Sequence, residues 1–522
     1  MSGLIVYVGG LSEKPTAIVP LLDQLRKRAD LAGYDTYVYQ RSVTPFSRGK
    51  LAERGRELAA AISNYWDTQG NPDDVILMGH SIGGLLVRSA YLNGVGAFGD
   101  EPNAWAQRVS RIVLFAAPNR GLEAKRFPLL TRFLMSLILS FSHHWAAADA
   151  LRGTPFLTSL RITWMRKFPM LAKPPLVVQV RGTRDTAVML EDSIDLEAMP
   201  NSTRVEIAGA DHQSIIRPDR PDEDRPGEQL ALLEKAITGE FQDDPGLAPR
   251  TPQVDVTEVI FLLHGIRAGI FGWVERLGKI IRGQAPTVFV EEQSYGYLSA
   301  WKFMLPWGHD RQFRMFADWY TQMLSAYGSV PFHFVGHSNG TYVLGRSLDR
   351  VEAMTFGKVY VAGSVLPTDY PWTKFKARGQ VNELVNACGN TDVPVGVLCK
   401  MLRGVGRRHL GTGGFDGFDD VAVVREQFVT IAGGHGAGLV DNRLPGVADY
   451  ILNDTVPSGP LWAEVTVGGG FSLWSKFSAW IARLLAVALV GSLAWLIAAG
   501  NWMGLAIEVG IIALVLVILS AV

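Results

Sequence analysis

The sequence predicts an α/β chain of two tandem domains, each a mostly parallel sheet flanked by helices, followed by a C-terminal helical hairpin. Three observations predict it. Short apolar runs alternate with helical patterns up to about residue 240, and the alternation restarts near residue 254. One five-residue pattern occurs once in each half, as Gly79-His80-Ser81-Ile82-Gly83 and Gly336-His337-Ser338-Asn339-Gly340. The final stretch, 479–522, carries Arg483 and Glu508 as its only charged residues.

The first domain spans 1–240. Its strands are expected at Leu4–Val8, Thr36–Tyr39, Val75–Met78, Ile112–Phe115, Leu176–Val180 and Arg204–Ile207, with helices such as Ala17–Ala32 and Leu51–Asp67 between them. An insertion at about 119–175 contains the apolar stretch Phe127–Phe141, which reads as a cap over an acyl pocket, a face resting on a membrane, or a buried helix. The Pro, Gly and charge content of 241–253 marks a linker. The second domain, 254–455, repeats the cycle at Val259–Leu263, Val288–Glu291, Pro331–Val335, Lys358–Val361, Val381–Val385 and Gln427–Ile431. Its extra apolar material lies earlier, in Tyr295–Trp307. Gly10 precedes Ser81 by 71 positions and Gly265 precedes Ser338 by 73, so the halves share an internal repeat.

A juxtamembrane segment, 456–478, leads into 479–522, which is long enough for about two crossings at roughly 20 residues each. Gly500-Asn501-Trp502 is the expected turn. Lys476 and Arg483 flank the entry side, and the positive-inside rule then keeps the large N-terminal part cytoplasmic. A single crossing with an interfacial piece is the alternative. Glu508 falls inside the second expected span, either with a role of its own or close enough to the turn to reach the interface.

Composition narrows the function class. Lys+Arg and Asp+Glu are both 50 among 522 residues, and no basic stripe is visible, so nucleic acid is not an expected partner. Two cysteines, Cys388 and Cys399, make no disulfide framework and fit a reducing compartment. They read as buried fillers.

The repeated pattern carries the chemistry. A Gly-x-Ser-x-Gly run between a strand and a helix places the serine on a sharp, strained turn with its hydroxyl exposed. A serine hydroxyl is a poor nucleophile until a histidine takes its proton and a carboxylate orients that histidine. The expected chain order is Ser, Asp/Glu, His. The first half supplies Ser81, then Asp185 just past one strand, then His212 just past the next; Asp192, Asp195, His143 and His144 are rivals. The second half supplies Ser338, Asp392 and His435, with Asp416, Asp419 and His409 as rivals. Two backbone N–H donors should hold the oxyanion. Those of Ile82 and Asn339 follow the serines, and those of Leu11 and Ile266 lie in the turns after the first strand of each half, Gly9-Gly10-Leu11 and His264-Gly265-Ile266.

On these residues both halves resemble the α/β-hydrolase superfamily, of the lipase/esterase type with a Gly-His-Ser elbow. The resemblance covers roughly 1–240 and 254–455. Ala116-Ala117-Pro118-Asn119-Arg120-Gly121 resembles the segment after the fifth core strand in that group. Val361-Ala362-Gly363-Ser364-Val365-Leu366-Pro367 resembles a less characterised bacterial and fungal branch. The resemblance implies two tandem α/β-hydrolase domains and ester hydrolysis through an acyl-serine, with no metal or organic cofactor. Apolar insertions and the anchor point to acyl or lipid esters. Acyl transfer and thioester cleavage use the same residues, and a membrane scaffold with one inactive domain is the reading from another class. Gly9 stands where the second half has His264, so the two oxyanion turns are unequal.

Overall fold

The computed structural model describes residues 2–40, 50–123, 146–196, 198–199, 201–218, 227–241, 256–265, 272–292, 310–328 and 330–521. The apolar stretches 127–141 and 295–307, residues 242–253 of the expected linker, His143, His144 and Ile266 lie outside them. The chain divides into two compact units, Met1–Gln253 with Ala317–Ser329, and Val254–Phe316 with Val330–Val522.

The first unit is built on six parallel strands: β1 (Gly3–Val8), β2 (Tyr34–Val38), β3 (Asp74–His80), β4 (Val109–Phe115), β5 (Leu176–Gly182) and β6 (Ser202–Ile207), in the order β2-β1-β3-β4-β5-β6. The second unit has β7 (Glu258–Leu263), β8 (Val288–Glu291), β9 (Phe332–His337), β10 (Phe356–Ala362), β11 (Val381–Gly389) and β12 (Val424–Ile431), in the order β8-β7-β9-β10-β11-β12, also all parallel. The strand order is the same in both.

A parallel sheet covered on both faces needs apolar residues at every strand position, and β1 is buried along its whole length. Period-two geometry then divides each strand between two cores. Leu4, Val6, Leu77, Ile112 and Leu114 enter one core of the first sheet, and Ile5, Tyr7, Met78, Val113 and Phe115 the other. In the second sheet Ile260, Leu262, Val335, Tyr360 and Val385 enter one core. From other positions, Phe261, Phe316, Phe332, Phe334 and Phe356 pack edge-to-face and stacked.

All twelve expected strands are present, all but one of them longer by one to four residues. The expected helix Ala17–Ala32 is broken into Pro15–Ile18, Val19–Leu25 and Ala29–Leu31. Arg28 leaves the helical region (φ −79°, ψ 136°), and its guanidinium pairs with Asp30 at 2.9 Å and Glu234 at 3.0 Å. A long-range ion pair thus accompanies a break that local periodicity does not signal.

In both sheets the chain leaves the first strand in one direction and returns to its other side. The carboxyl ends of β1 and β3, and of β7 and β9, therefore flank a switch point, where open α/β sheets have their crevice. The serines sit there. The helices that follow them, Ile82–Gly94 and Asn339–Arg350, run close beneath the first strands. A Cβ on Gly83 would lie 2.2 Å from the Val8 carbonyl oxygen, and one on Gly340 would lie 2.4 Å from that of Leu263.

The chain ends in two helices, Gly469–Ala498 and Trp502–Ala521. The first is long and apolar enough to cross a membrane; the described apolar part of the second, Trp502–Ile511, is shorter than a span. Ser492 Oγ donates to Glu508 Oε2 at 2.9 Å, so the two helices lie side by side.

The glycine constraint is testable. Gly83→Ala forces a methyl into backbone and should cost about 1–3 kcal/mol, whereas Gly283→Ala, in open space within Trp273–Gln284, should stabilise by about 0.5–1 kcal/mol. Urea unfolding of each variant measures the difference.

Candidate active site

Each serine ends a strand and opens a helix with the backbone in a positive-φ conformation, φ 54° and ψ −127° at Ser81 and φ 53° and ψ −122° at Ser338. Such values cost roughly 1–3 kcal/mol for a non-glycine residue and persist only where surrounding structure enforces them. The Ser81 N–H donates to the Phe115 carbonyl at 2.8 Å and that of Ser338 to Ala362 at 3.1 Å, tying each elbow to the adjacent strand.

In the first unit the structure brings together Ser81, His212 and Asp185. Ser81 Oγ donates to His212 Nε2 at 3.1 Å, and His212 Nδ1 donates to Asp185 Oδ2 at 2.8 Å. The other carboxylate oxygen of Asp185 accepts from the Ala187 and Val188 amides at 2.8 and 2.9 Å, which fixes its plane. Burial alone would raise the Asp185 carboxyl, but the His212 hydrogen bond and these two amides outweigh it and hold it below the ordinary value. The rivals are engaged elsewhere: Asp192 pairs with Arg152 at 2.6 Å and Asp195 with Arg161 at 3.0 Å.

Ile82 opens its helix, so its N–H has no intrahelical acceptor. The Gly9-Gly10-Leu11 turn lies opposite: a Cβ on Gly10 would come within 3.0 Å of Ser81 Cβ. Gly10 N–H is committed to Glu13 Oε2 at 2.8 Å, and the Leu11 amide has no hydrogen bond among the described residues.

Glu13 is a residue that motif reasoning does not reach. Its carboxylate accepts from Tyr7 Oη at 2.5 Å, from Gly10 N–H and from His80 Nδ1 at 2.5 Å. His80 Nε2 in turn donates to the His212 carbonyl at 2.7 Å. One partly buried carboxylate thus ties together β1, the Gly9-Gly10-Leu11 turn, the elbow and the backbone of His212. Burial would raise the Glu13 carboxyl, but the bonds from His80, Tyr7 and Gly10 outweigh it and hold it below its ordinary value. Its only local signal is a place three residues after Gly10; His80 is 67 positions away.

The second unit is assembled differently. His435 Nδ1 donates to Asp392 at 2.9 Å, Asp392 Oδ1 caps the Val395 amide at 2.9 Å, and His337 Nε2 donates to the His435 carbonyl at 3.0 Å. Among the described residues, however, no hydrogen bond joins Ser338 to His435. His337 Nδ1 is buried without a hydrogen-bond partner among the described residues. Burial, with His435 beside it, pushes the His337 imidazole down to about 3, so it is neutral at pH 7. His264 Nδ1 donates to the Gly265 carbonyl at 2.7 Å, and Gly265 occupies the place of Gly10, 2.8 Å from Ser338 Cβ by the same measure. Asp416 bonds to Lys400 and Thr412 rather than to His435. Cys388 and Cys399 are buried, and burial pushes the Cys399 thiol up to about 12, which leaves both as fillers. Beside His435 opens a cavity of about 730 Å³ lined by Trp273, Arg276, His337, Gly436, Leu439 and Asn442.

Two parallel sheets of the same strand order, flanked by helices and each with a serine elbow at its switch point, make a tandem α/β architecture. Residues 16–230 match the family model described as the alpha/beta hydrolase family. Similar solved structures include a monoacylglycerol lipase of Paleococcus ferrophilus (16% identity, 45% of this chain and 95% of that one, TM-score 0.31). Others are lipase BlEst2 of Bacillus licheniformis in its mature form (18%, 41% and 86%, TM-score 0.30) and phospholipase PlaB of Legionella pneumophila (14%, 38% and 44%, TM-score 0.28). No curated protein sequence matches the chain.

The two depressed carboxyls set an acid limit. Unfolded, Asp and Glu titrate near about 3.9 and 4.3; folded, Asp185 and Glu13 hold protons less tightly. Their stabilisation is complete above the unfolded values and is lost as pH falls through the lower folded ones. Urea unfolding should show the first unit losing stability below about pH 4, and Glu13→Gln or Asp185→Asn should flatten that acid limb.

Proposed function

We propose that the protein is a membrane-anchored serine hydrolase that cleaves carboxylic esters, acyl or lipid esters foremost, through an acyl-serine intermediate. The observation that carries the reading is the unbroken relay Asp185–His212–Ser81, at 2.8 and 3.1 Å. Ser81 Oγ attacks the ester carbonyl carbon while His212 Nε2 takes its proton. Asp185 holds the other ring nitrogen and stabilises the imidazolium. The Ile82 and Leu11 amides receive the oxyanion. The alcohol leaves with the proton from His212. Water then attacks the acyl-serine with His212 again as base, and the carboxylic acid departs as Ser81 regains its proton.

The second unit carries the same residue types at Ser338, Asp392 and His435, with the oxyanion donors at Asn339 and Ile266. Its missing serine–histidine bond favours a slower or ligand-gated nucleophile over a duplicate of the first. The helix Gly469–Ala498 supports the anchor, and Lys476 at its entry side supports a cytoplasmic placement of the hydrolase units. Trp502–Ala521 would complete a hairpin.

Labelling with a fluorophosphonate probe tests the reading. Wild type should label at Ser81 first and at Ser338 more slowly, and the double variant Ser81→Ala/Ser338→Ala not at all. Label retained by the double variant would overturn it. On a short-chain ester, Ser81→Ala in the Ser338→Ala background should lower kcat on the order of 10⁴–10⁶-fold. Asp185→Asn should lower it on the order of 10³–10⁴-fold.

A further inference from the structure

The helix Gly469–Ala498 is not a free anchor. Its first half is packed on the second hydrolase unit, along the helical segment Pro394–Gly404 that begins two residues after Asp392. Ser475 Oγ donates to the Gly396 carbonyl at 2.7 Å and accepts from Lys400 Nζ at 2.9 Å. Phe471 meets Phe415 edge-on at 5.5 Å between centroids. Ala479 packs so closely on Gly404 that a Cβ there would lie 2.7 Å from its carbonyl oxygen. Arg483 Nε donates to the Gly404 carbonyl at 3.0 Å, and its guanidinium lies over Trp480.

Lengths then impose a conclusion. Beyond Arg483, Leu484, Leu485, Val487 and Val490 are all at least 60% exposed, and the helix meets Trp502–Ala521 further on, where Ser492 bonds to Glu508. Leu484–Ala498 at 1.5 Å per residue reaches only about 22 Å, short of the roughly 30 Å hydrocarbon layer. A span of about 20 residues counted back from Ala498 begins at Ala479, which is the residue seated on Gly404. The surface around Gly404 must therefore meet the lipid boundary. Its composition suits that place. Val405 is 47% exposed beside Gly404, Phe477 and Trp480 are exposed on the open side of the helix, and the exposed cations Lys476 and Arg408 have no acidic partner among the described residues.

We infer that the second hydrolase unit itself sits in the bilayer interface through the Gly404 end of the segment Pro394–Gly404 and the facing turns of Gly469–Ala498, its occupant being the lipid surface. The inference rests on the membrane reading above. It also names where the second site meets its substrate. From Val405 the chain returns directly to that site: Gly411, Gly413 and Gly414 donate to the carbonyls of Val365, Leu366 and Ser364 at 2.9, 2.8 and 2.8 Å, and Gly363 lies against the His435 ring. A substrate held in the bilayer enters beside this loop, without first crossing water. Depth should be graded, with Val405 deepest, Leu398 shallower and Val393, next to Asp392, in water.

Spin labels on the full chain in vesicles of phosphatidylcholine and phosphatidylglycerol read this grading. Single substitutions Val405→Cys, Leu398→Cys, Val393→Cys, Val490→Cys and, as a water reference in the first unit, Met170→Cys, place labels at exposed positions. The native Cys388 and Cys399 are too buried to compete. Collision with oxygen and with a nickel chelate should place Val490 in lipid, and Val405 should lose nickel accessibility relative to Met170, Leu398 losing less and Val393 none. Val405 as nickel-accessible as Met170, with Val490 in lipid, would overturn the inference and leave the anchor standing. Val490 itself in water would overturn the membrane reading and the inference together.

Discussion

Everything at the candidate sites depends on one strained residue per unit, a serine at positive φ wedged between a parallel strand and its helix. The strain is held because the helix cannot withdraw. Gly83 and Gly340 let it press against the carbonyls of Val8 and Leu263, and the serine N–H is bound to the next strand. The wedge fixes two further things. It aims the hydroxyl out of the sheet, and it places the first N–H of the helix, without an intrahelical partner, beside the end of the first strand. The proposed nucleophile and the proposed oxyanion donor after it thus share one origin in backbone geometry.

From that common frame the units diverge. In the first, Glu13 gathers Tyr7, the Gly10 amide and His80, and His80 grips the carbonyl of His212. The imidazole is thereby held from both sides, by Asp185 on its ring and by His80 on its backbone. In the second, His337 makes the equivalent bond to His435, but its other nitrogen has no partner among the described residues and its ring is neutral. Asp392 and His435 are paired there without Ser338 closing the relay. Equivalent residues in equivalent order therefore need not give equivalent chemistry, because the support beneath each histidine differs.

The second unit is also the one joined to the long apolar helix. Its acid loop, the segment Pro394–Gly404 and the loop back to His435 form a continuous stretch of chain between the helix and the site. The first unit's Asp185 loop has no comparable companion among the described residues.

The sequence alone determined the strands, the elbows and the order serine, aspartate, histidine in each half. These are local signals: apolar runs, glycines around a serine, and carboxylate and histidine placed just after strands. That Asp185 rather than Asp195 meets His212, and Asp392 rather than Asp416 meets His435, was legible because only the first of each pair follows a strand end, and strand ends converge at the switch point. Tertiary structure decided what depends on distance across the chain. The break at Arg28 goes with an ion pair to Glu234, the clamp of Glu13 on His80 spans 67 positions, and the seat of Ala479 on Gly404 joins segments from different parts of the second unit. Side-chain type and periodicity set which surfaces are buried. Which buried groups meet, and whether Ser338 closes on His435, is set by packing between segments far apart in the chain, which no local pattern encodes.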